Sequence, residues 1–156
     1  MLYNLVVENY ALISKLDIEF TKGLTIITGE TGAGKSILLG ALSLILGKRA
    51  DTGVLYDKGK KCIVEGTFDI ARYGLQYLFT RHDIDYDDQT IIRREISPAG
   101  KSRAFINDVP VTLDVLGELT VKLIDIHSQH QNLNLADSLF QMNVVDSFAQ
   151  TRELLN

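Results

Sequence analysis

Apolar positions along this chain switch between a two-residue repeat and a three-to-four-residue repeat, the pattern of strands interleaved with helices. Leu2 to Val7 reads as a strand. Leu16, Ile18 and Phe20 alternate with Asp17 and Glu19 as a second strand with one buried face. Lys22-Gly23 turns the chain into a short apolar strand of Leu24, Ile26 and Ile27, and Leu38, Ala41, Leu42 and Ile45 then recur at helical spacing. Gly47 to Gly59 is polar and glycine-bearing, Cys62 to Asp69 alternates again, and Tyr73 to Arg81 fits a short helix. Thr90 to Ile96 and Arg103 to Ile106 flank Ser97-Pro98-Ala99-Gly100, whose proline and glycine favour a reversing connection and therefore a β-hairpin. Asn107-Asp108 marks another tight turn and Val109 to Thr112 a brief extended piece. Thr112 or Asp114 then caps a helix carrying Leu116, Leu119 and Leu123. From about Ala136, Leu139, Met142, Val145 and Phe148 suit a helix packed on one side, and the pattern stops at Asn156 while still helical, so a continuation is expected.

Two strands joined by short turns precede the apolar strand at Leu24. The expectation is therefore an α/β fold with a mixed sheet at its N-terminus. The chain has 156 residues, 46% of them hydrophobic, which suits one compact body with a real core. A formal charge of -4 and a pI near 5.3 provide no global positive field, so any nucleic-acid contact must be local. The single cysteine, Cys62, excludes an internal disulfide. No charged leader with a long apolar run and cleavage site stands at the N-terminus, and no stretch approaches the roughly 20 apolar residues that cross a bilayer. A cytosolic location and no membrane partner are the expectation.

The chemistry is concentrated in Gly29, Glu30, Thr31, Gly32, Ala33, Gly34, Lys35 and Ser36, with Ile37 following. Glycine, four residues, then Gly-Lys and a hydroxyl residue is the phosphate-binding P-loop, placed here between a strand and a helix as the motif requires. Gly29, Gly32 and Gly34 let the backbone take positive φ and approach phosphate oxygens without a Cβ in the way. Backbone N–H groups of the loop and first helical turn form a nest, reinforced by the positive end of the helix dipole. Lys35 would reach the β and γ phosphates as a point charge, and the Ser36 hydroxyl would take one position on Mg²⁺. The expected cofactors are ATP and Mg²⁺.

Turnover needs more than this. Hydrolytic P-loop enzymes use an apolar strand ending in acidic residues to hold Mg²⁺ and orient water. Leu123-Ile124-Asp125 comes nearest, but Lys122 interrupts the run before it and Ile126 stands where a second acid belongs, so Asp125 reads as a strand-end or turn residue. Nor does a Leu-Ser-Gly-Gly-type signature occur.

Several segments together resemble one family. They are Asn9-Tyr10-Ala11-Leu12-Ile13, the run Gly23 to Leu39, Gly47-Lys48-Arg49-Ala50-Asp51, Ser102-Arg103-Ala104-Phe105-Ile106-Asn107, and Ile124-Asp125-Ile126-His127-Ser128-Gln129-His130-Gln131. Over nearly its whole length the chain resembles the N-terminal part of the RecN family, bacterial DNA-repair ATPases of the SMC-like class. The resemblance implies a P-loop ATPase of ABC/SMC-like head type whose signature and acidic motifs lie in a C-terminal piece, across a long antiparallel coiled coil. Residues 1–135 would form the N-terminal lobe of the head, and 136–156 a helix leading toward the coiled coil. Its partners would be the C-terminal half of its own head, a second copy in an ATP-dependent head dimer, and DNA, in the bacterial cytoplasm at the nucleoid. Gln129 matches the family's Q-loop, approaching Mg²⁺ and the nucleophilic water through an amide that can both ligate and orient. Ser128 replaces a glycine common in relatives. His127 and His130 have no further ligand set to make a zinc site.

Other residues keep two readings. Arg49 follows the P-loop helix and is either near nucleotide or DNA, or a solvated helix-end cation. Lys58, Lys60 and Lys61, and Arg93, Arg94, Lys101 and Arg103, form short basic groups, but Asp83, Asp85, Asp87 and Asp88 favour an ordinary mixed surface. Tyr10 reads as an edge-of-core tyrosine before an adenine contact. Two other functions stay open: a complete small P-loop kinase, which would need an arginine-bearing lid and an acidic base, and a non-catalytic nucleotide-binding interaction module.

Overall fold

A computed structural model of the chain describes residues 1–28, 32–50, 52–126 and 138–149. They fall into two units, Met1–Asp125 and Ile126–Asn156. In the first, β1 (Leu2–Tyr10), β2 (Ile13–Glu19), α1 (Gly32–Ile45), β3 (Cys62–Asp69), α2 (Gln76–Arg81), β4 (Gln89–Ile96), β5 (Ser102–Ile106), β6 (Val109–Val111) and α3 (Leu113–Thr120) follow in that order. The strands make one six-stranded sheet, β2-β1-β3-β4-β5-β6.

Every pairing in that sheet is antiparallel. The mixed sheet expected at the N-terminus is therefore corrected among the described residues. The strand that would have added a different direction, Leu24 to Ile27, forms no ladder at all, and Leu24, Ile26 and Ile27 are 88%, 75% and 54% exposed. A strand's two faces are buried only when it sits within a sheet that has layers packed on both sides, and none of the described strands pairs with this run.

Alternation sorts the sheet into two faces. The cross-strand register places Val7, Val64, Arg94 and Ala104 in one row, and Leu5, Gly66, Ile92 and Ile106 in the next. This face is buried against α1 and joined by Leu78, Phe79, Leu116 and Leu119 from α2 and α3. Two glycines set how closely α1 approaches. A Cβ at Gly66 in β3 would come within 3.1 Å of Ile45 Cδ1 and 2.9 Å of Phe68 Cε2. A Cβ at Gly40 in α1 would come within 2.5 Å of Tyr10 Oη. Helix and sheet meet through the absence of side chains, and β-propensity at Gly66 yields to that fit.

Local expectations mostly hold, with shifts at the boundaries. The Thr112 hydroxyl caps α3 by accepting from the Val115 N–H at 3.4 Å. Asn107 and Asp108 both take positive φ, 47° and 64°, as a two-residue hairpin turn needs. The helix expected from Tyr73 begins at Gln76, and Leu123 lies beyond the end of α3. In the second unit α4 (Ser138–Ala149) carries Met142, Val145 and Phe148, which are exposed rather than packed.

Candidate nucleotide-binding site

Of the P-loop, Gly29, Glu30 and Thr31 lie outside the described residues, and so do Gln129, His127 and His130. Gly32 and Ala33 open α1. Gly34, Lys35 and Ser36 follow in its first turns with exposed side chains or surfaces, and Ile37 is half-buried against the core. Gly34 is not among the residues with positive φ, so the backbone freedom expected of it is not used in the described helix. A Cβ there would meet no atom within 4 Å, so the space over this turn is open.

That first turn carries no acidic side chain. N–H groups not yet paired within the helix, the positive end of the dipole, one lysine and one hydroxyl thus share an end that faces solvent, and this donor set fits a polyphosphate. Ser36 can supply one oxygen to a hard divalent cation, the rest coming from phosphate and water as Mg²⁺ prefers. Asp125 is exposed and follows a turn in which Leu123 and Ile124 N–H groups both bond the Thr120 carbonyl, so it does not end a described strand.

What positions α1 is a clamp at the β1–β2 turn. Asn9 takes φ 55° and is 6% exposed. Its Nδ2 donates to the carbonyls of Asp57, Lys60 and Lys61 at 3.0, 2.9 and 3.3 Å, while its Oδ1 accepts from the Asp57 N–H at 2.6 Å. Ala11 N–H bonds the Val54 carbonyl and Tyr56 N–H the Asn9 carbonyl, so the turn is fastened to the connection that follows α1. Between these fixed points the buried Tyr10 ring reaches Gly40, two turns into the P-loop helix. Tyr10 is a core residue, as expected. An isolated glycine inside a helical pattern was the available signal for Gly40. For the fourfold use of Asn9 there was none beyond its recurrence in the family segment.

The basic groups separate once folded. Arg93 lies on the open sheet face, 4.8 Å from the Phe105 ring centroid and within 3.0 to 3.6 Å of Asp108, Glu95 and Glu65. Arg94 points the other way and is 1% exposed. Its Nη2 donates to Ser102 Oγ at 2.8 Å, its Nε has no hydrogen-bond partner, and burial pushes the guanidinium below its ordinary pKa. Neither is available to a phosphate backbone. Arg49 is exposed just beyond α1.

The profile of the AAA domain family matches residues 4–155. The chain is 38% identical over 159 residues to the DNA repair protein RecN of Haemophilus influenzae, covering 99% of this chain and 28% of that protein. It is 38% identical over 151 residues to RecN of Bacillus subtilis, covering 96% and 26%. The chain thus spans little more than a quarter of these relatives. Among solved structures, an SMC ATPase studied for ATP-driven dimerization and DNA-stimulated activation superposes with a TM-score of 0.63 at 20% identity, covering 94% of this chain and 98% of that one. The recombination mediator RecF superposes at 0.57 and 18% identity, covering 74% and 29%. These structures share its fold, that of SMC-type and RecF ATPase heads, and the match across residues 4–155 shows that the chain belongs to the AAA domain family.

Proposed function

We propose that this chain is the ATP-cradling lobe of an SMC-like ATPase head acting in repair of DNA double-strand breaks. The observation that carries this reading is the exposed apolar run of Leu24, Ile26 and Ile27 leading directly into the P-loop. A contiguous exposed apolar run with unpaired backbone fits a surface that further strands and a packed layer cover, and the C-terminal half of the same head would supply them. The repair role is supported by the RecN relatives, and the nucleotide by the P-loop turn and the AAA domain match.

In this reading the loop amides and Lys35 hold the β and γ phosphates, Ser36 ligates Mg²⁺, and Gln129 orients water near it. Residues 1–135 form the lobe, and 136–156 lead toward a coiled coil. Two heads engage around ATP, each completing the other's site, and hydrolysis releases them, changing the grip on DNA. The chain by itself lacks the groups for turnover. The small-kinase reading gains nothing from relatives that are repair proteins.

The test is Lys35→Ala in the full-length protein. Loss of one phosphate contact abolishes ATP-dependent head dimerisation while circular dichroism stays unchanged. Dimerisation at wild-type nucleotide concentrations would overturn the assignment.

A further inference from the structure

The net charge of the chain conceals a sharp segregation. The strand register sets Cys62 opposite Ile96 and Ile96 opposite Ser102. The connection before β3 and the β4–β5 turn therefore lie at one end of the sheet. Thr52 joins them: its Cγ2 lies 3.7 Å from where a Cβ at Gly100 would stand, and its carbonyl accepts from Lys58 Nζ at 2.9 Å. Two basic groups separated by some forty residues of sequence thus become one cluster of Lys58, Lys60, Lys61, Lys101 and Arg103, all exposed. Two carboxylates temper it. Asp57 lies 3.5 Å from Lys60, and Glu95 lies 3.3 Å from Lys61. At the opposite end, where Asp69 faces Gln89, stand exposed Asp69, Asp83, Asp85, Asp87 and Asp88.

We propose that the basic end is a contact surface for the phosphate backbone of nucleic acid. A field of this kind acts locally even on an acidic protein, because an exposed charge is screened beyond about 8–10 Å, so the acidic end does not cancel it. Lys101 and Arg103 make no ion pair among the described residues and Lys60 makes only an exposed one, which leaves these side chains free to displace counterions. The inference rests on the repair reading only for the identity of the polyanion.

The experiment measures binding of a fluorescent 30-base-pair duplex by anisotropy across a salt series, using the full-length protein and no nucleotide. Wild type shows log K falling linearly with log salt. A Lys60→Gln/Lys101→Gln/Arg103→Gln variant loses about 2–3 from that slope and binds at least about tenfold more weakly at roughly 50 mM salt. A Lys22→Gln/Arg72→Gln variant, altered at the far end, stays within about twofold. Equal loss in both variants, or an unchanged slope in the first, overturns the surface. ATP binding measured on the same samples separates the two readings. The triple variant keeps it, whereas Lys35→Ala loses it and retains the duplex slope.

Discussion

Gly40→Ala tests whether the Tyr10 contact sets the position of the P-loop helix. In isolation the change favours α1, since alanine is better than glycine in a helix interior by about 1 kcal/mol. In place, the new Cβ would lie 2.5 Å from Tyr10 Oη, closer than a side-chain carbon and a hydroxyl oxygen approach one another. Tyr10 cannot swing aside cheaply, being 8% exposed and held between the Asn9 clamp and α1. Overpacking of this order costs about 1–3 kcal/mol, so the net effect is destabilisation of up to about 2 kcal/mol. Tyr10→Phe removes the clashing atom, and the next nearest, Cζ, lies at 3.5 Å, an ordinary contact. In that background Gly40→Ala becomes neutral or stabilising. A double-mutant cycle by urea unfolding reads the difference directly, with an expected coupling of about 1–3 kcal/mol. By heat, each kcal/mol corresponds to about 2–4 °C in Tm. Equal effects of Gly40→Ala in both backgrounds would refute the contact as the determinant of helix position.

Further expectations concern buried polar groups. Asn9→Ala strands the carbonyls of Asp57, Lys60 and Lys61 and places a Cβ at φ 55°, so it costs about 1–2 kcal/mol more than Asn9→Gly, which loses the same bonds without the backbone penalty. Identical unfolding free energies for the two variants would refute the left-handed requirement. Arg94→Met changes stability by less than about 1 kcal/mol, because a buried guanidinium with one hydroxyl partner and an unpaired Nε gains little over a packed apolar chain. A loss above about 3 kcal/mol would show that a carboxylate holds it. Burial pushes the Cys62 thiol from 9.0 to about 11. The raised value means the fold favours the neutral thiol, so stability falls as pH rises from about 9 to about 11, and at pH 8 thiol labelling proceeds only as fast as unfolding. Rapid labelling of folded protein would contradict the burial.

Most local structure was legible because period and turn chemistry are local. β3 coincides with the alternation from Cys62 to Asp69, the hairpin turn at Asn107-Asp108 follows from side-chain chemistry, and Thr112 is the one of the two cap candidates, Thr112 and Asp114, that the helix uses. Long-range facts were not legible in the same way. Arg93 and Arg94 are adjacent and equally basic, yet strand pleating sends one to the open face and one to the core. Leu24, Ile26 and Ile27 read as a short apolar strand, but periodicity names no partner, and they stand exposed outside the described sheet. The merging of two basic groups needed the register of three strands and the Thr52 contact. The P-loop itself was unmistakable from spacing, whereas the Tyr10 contact that orients its helix surfaces only in three dimensions.

We propose that this chain cradles a triphosphate and that the rest of the head supplies the groups that split it. Steady-state phosphate release from ATP and Mg²⁺ by the purified 156-residue chain tests this most directly. The expected rate is indistinguishable from that of the Lys35→Ala variant. Turnover near the roughly 10 s⁻¹ typical of enzymes, abolished by Lys35→Ala, would contradict it.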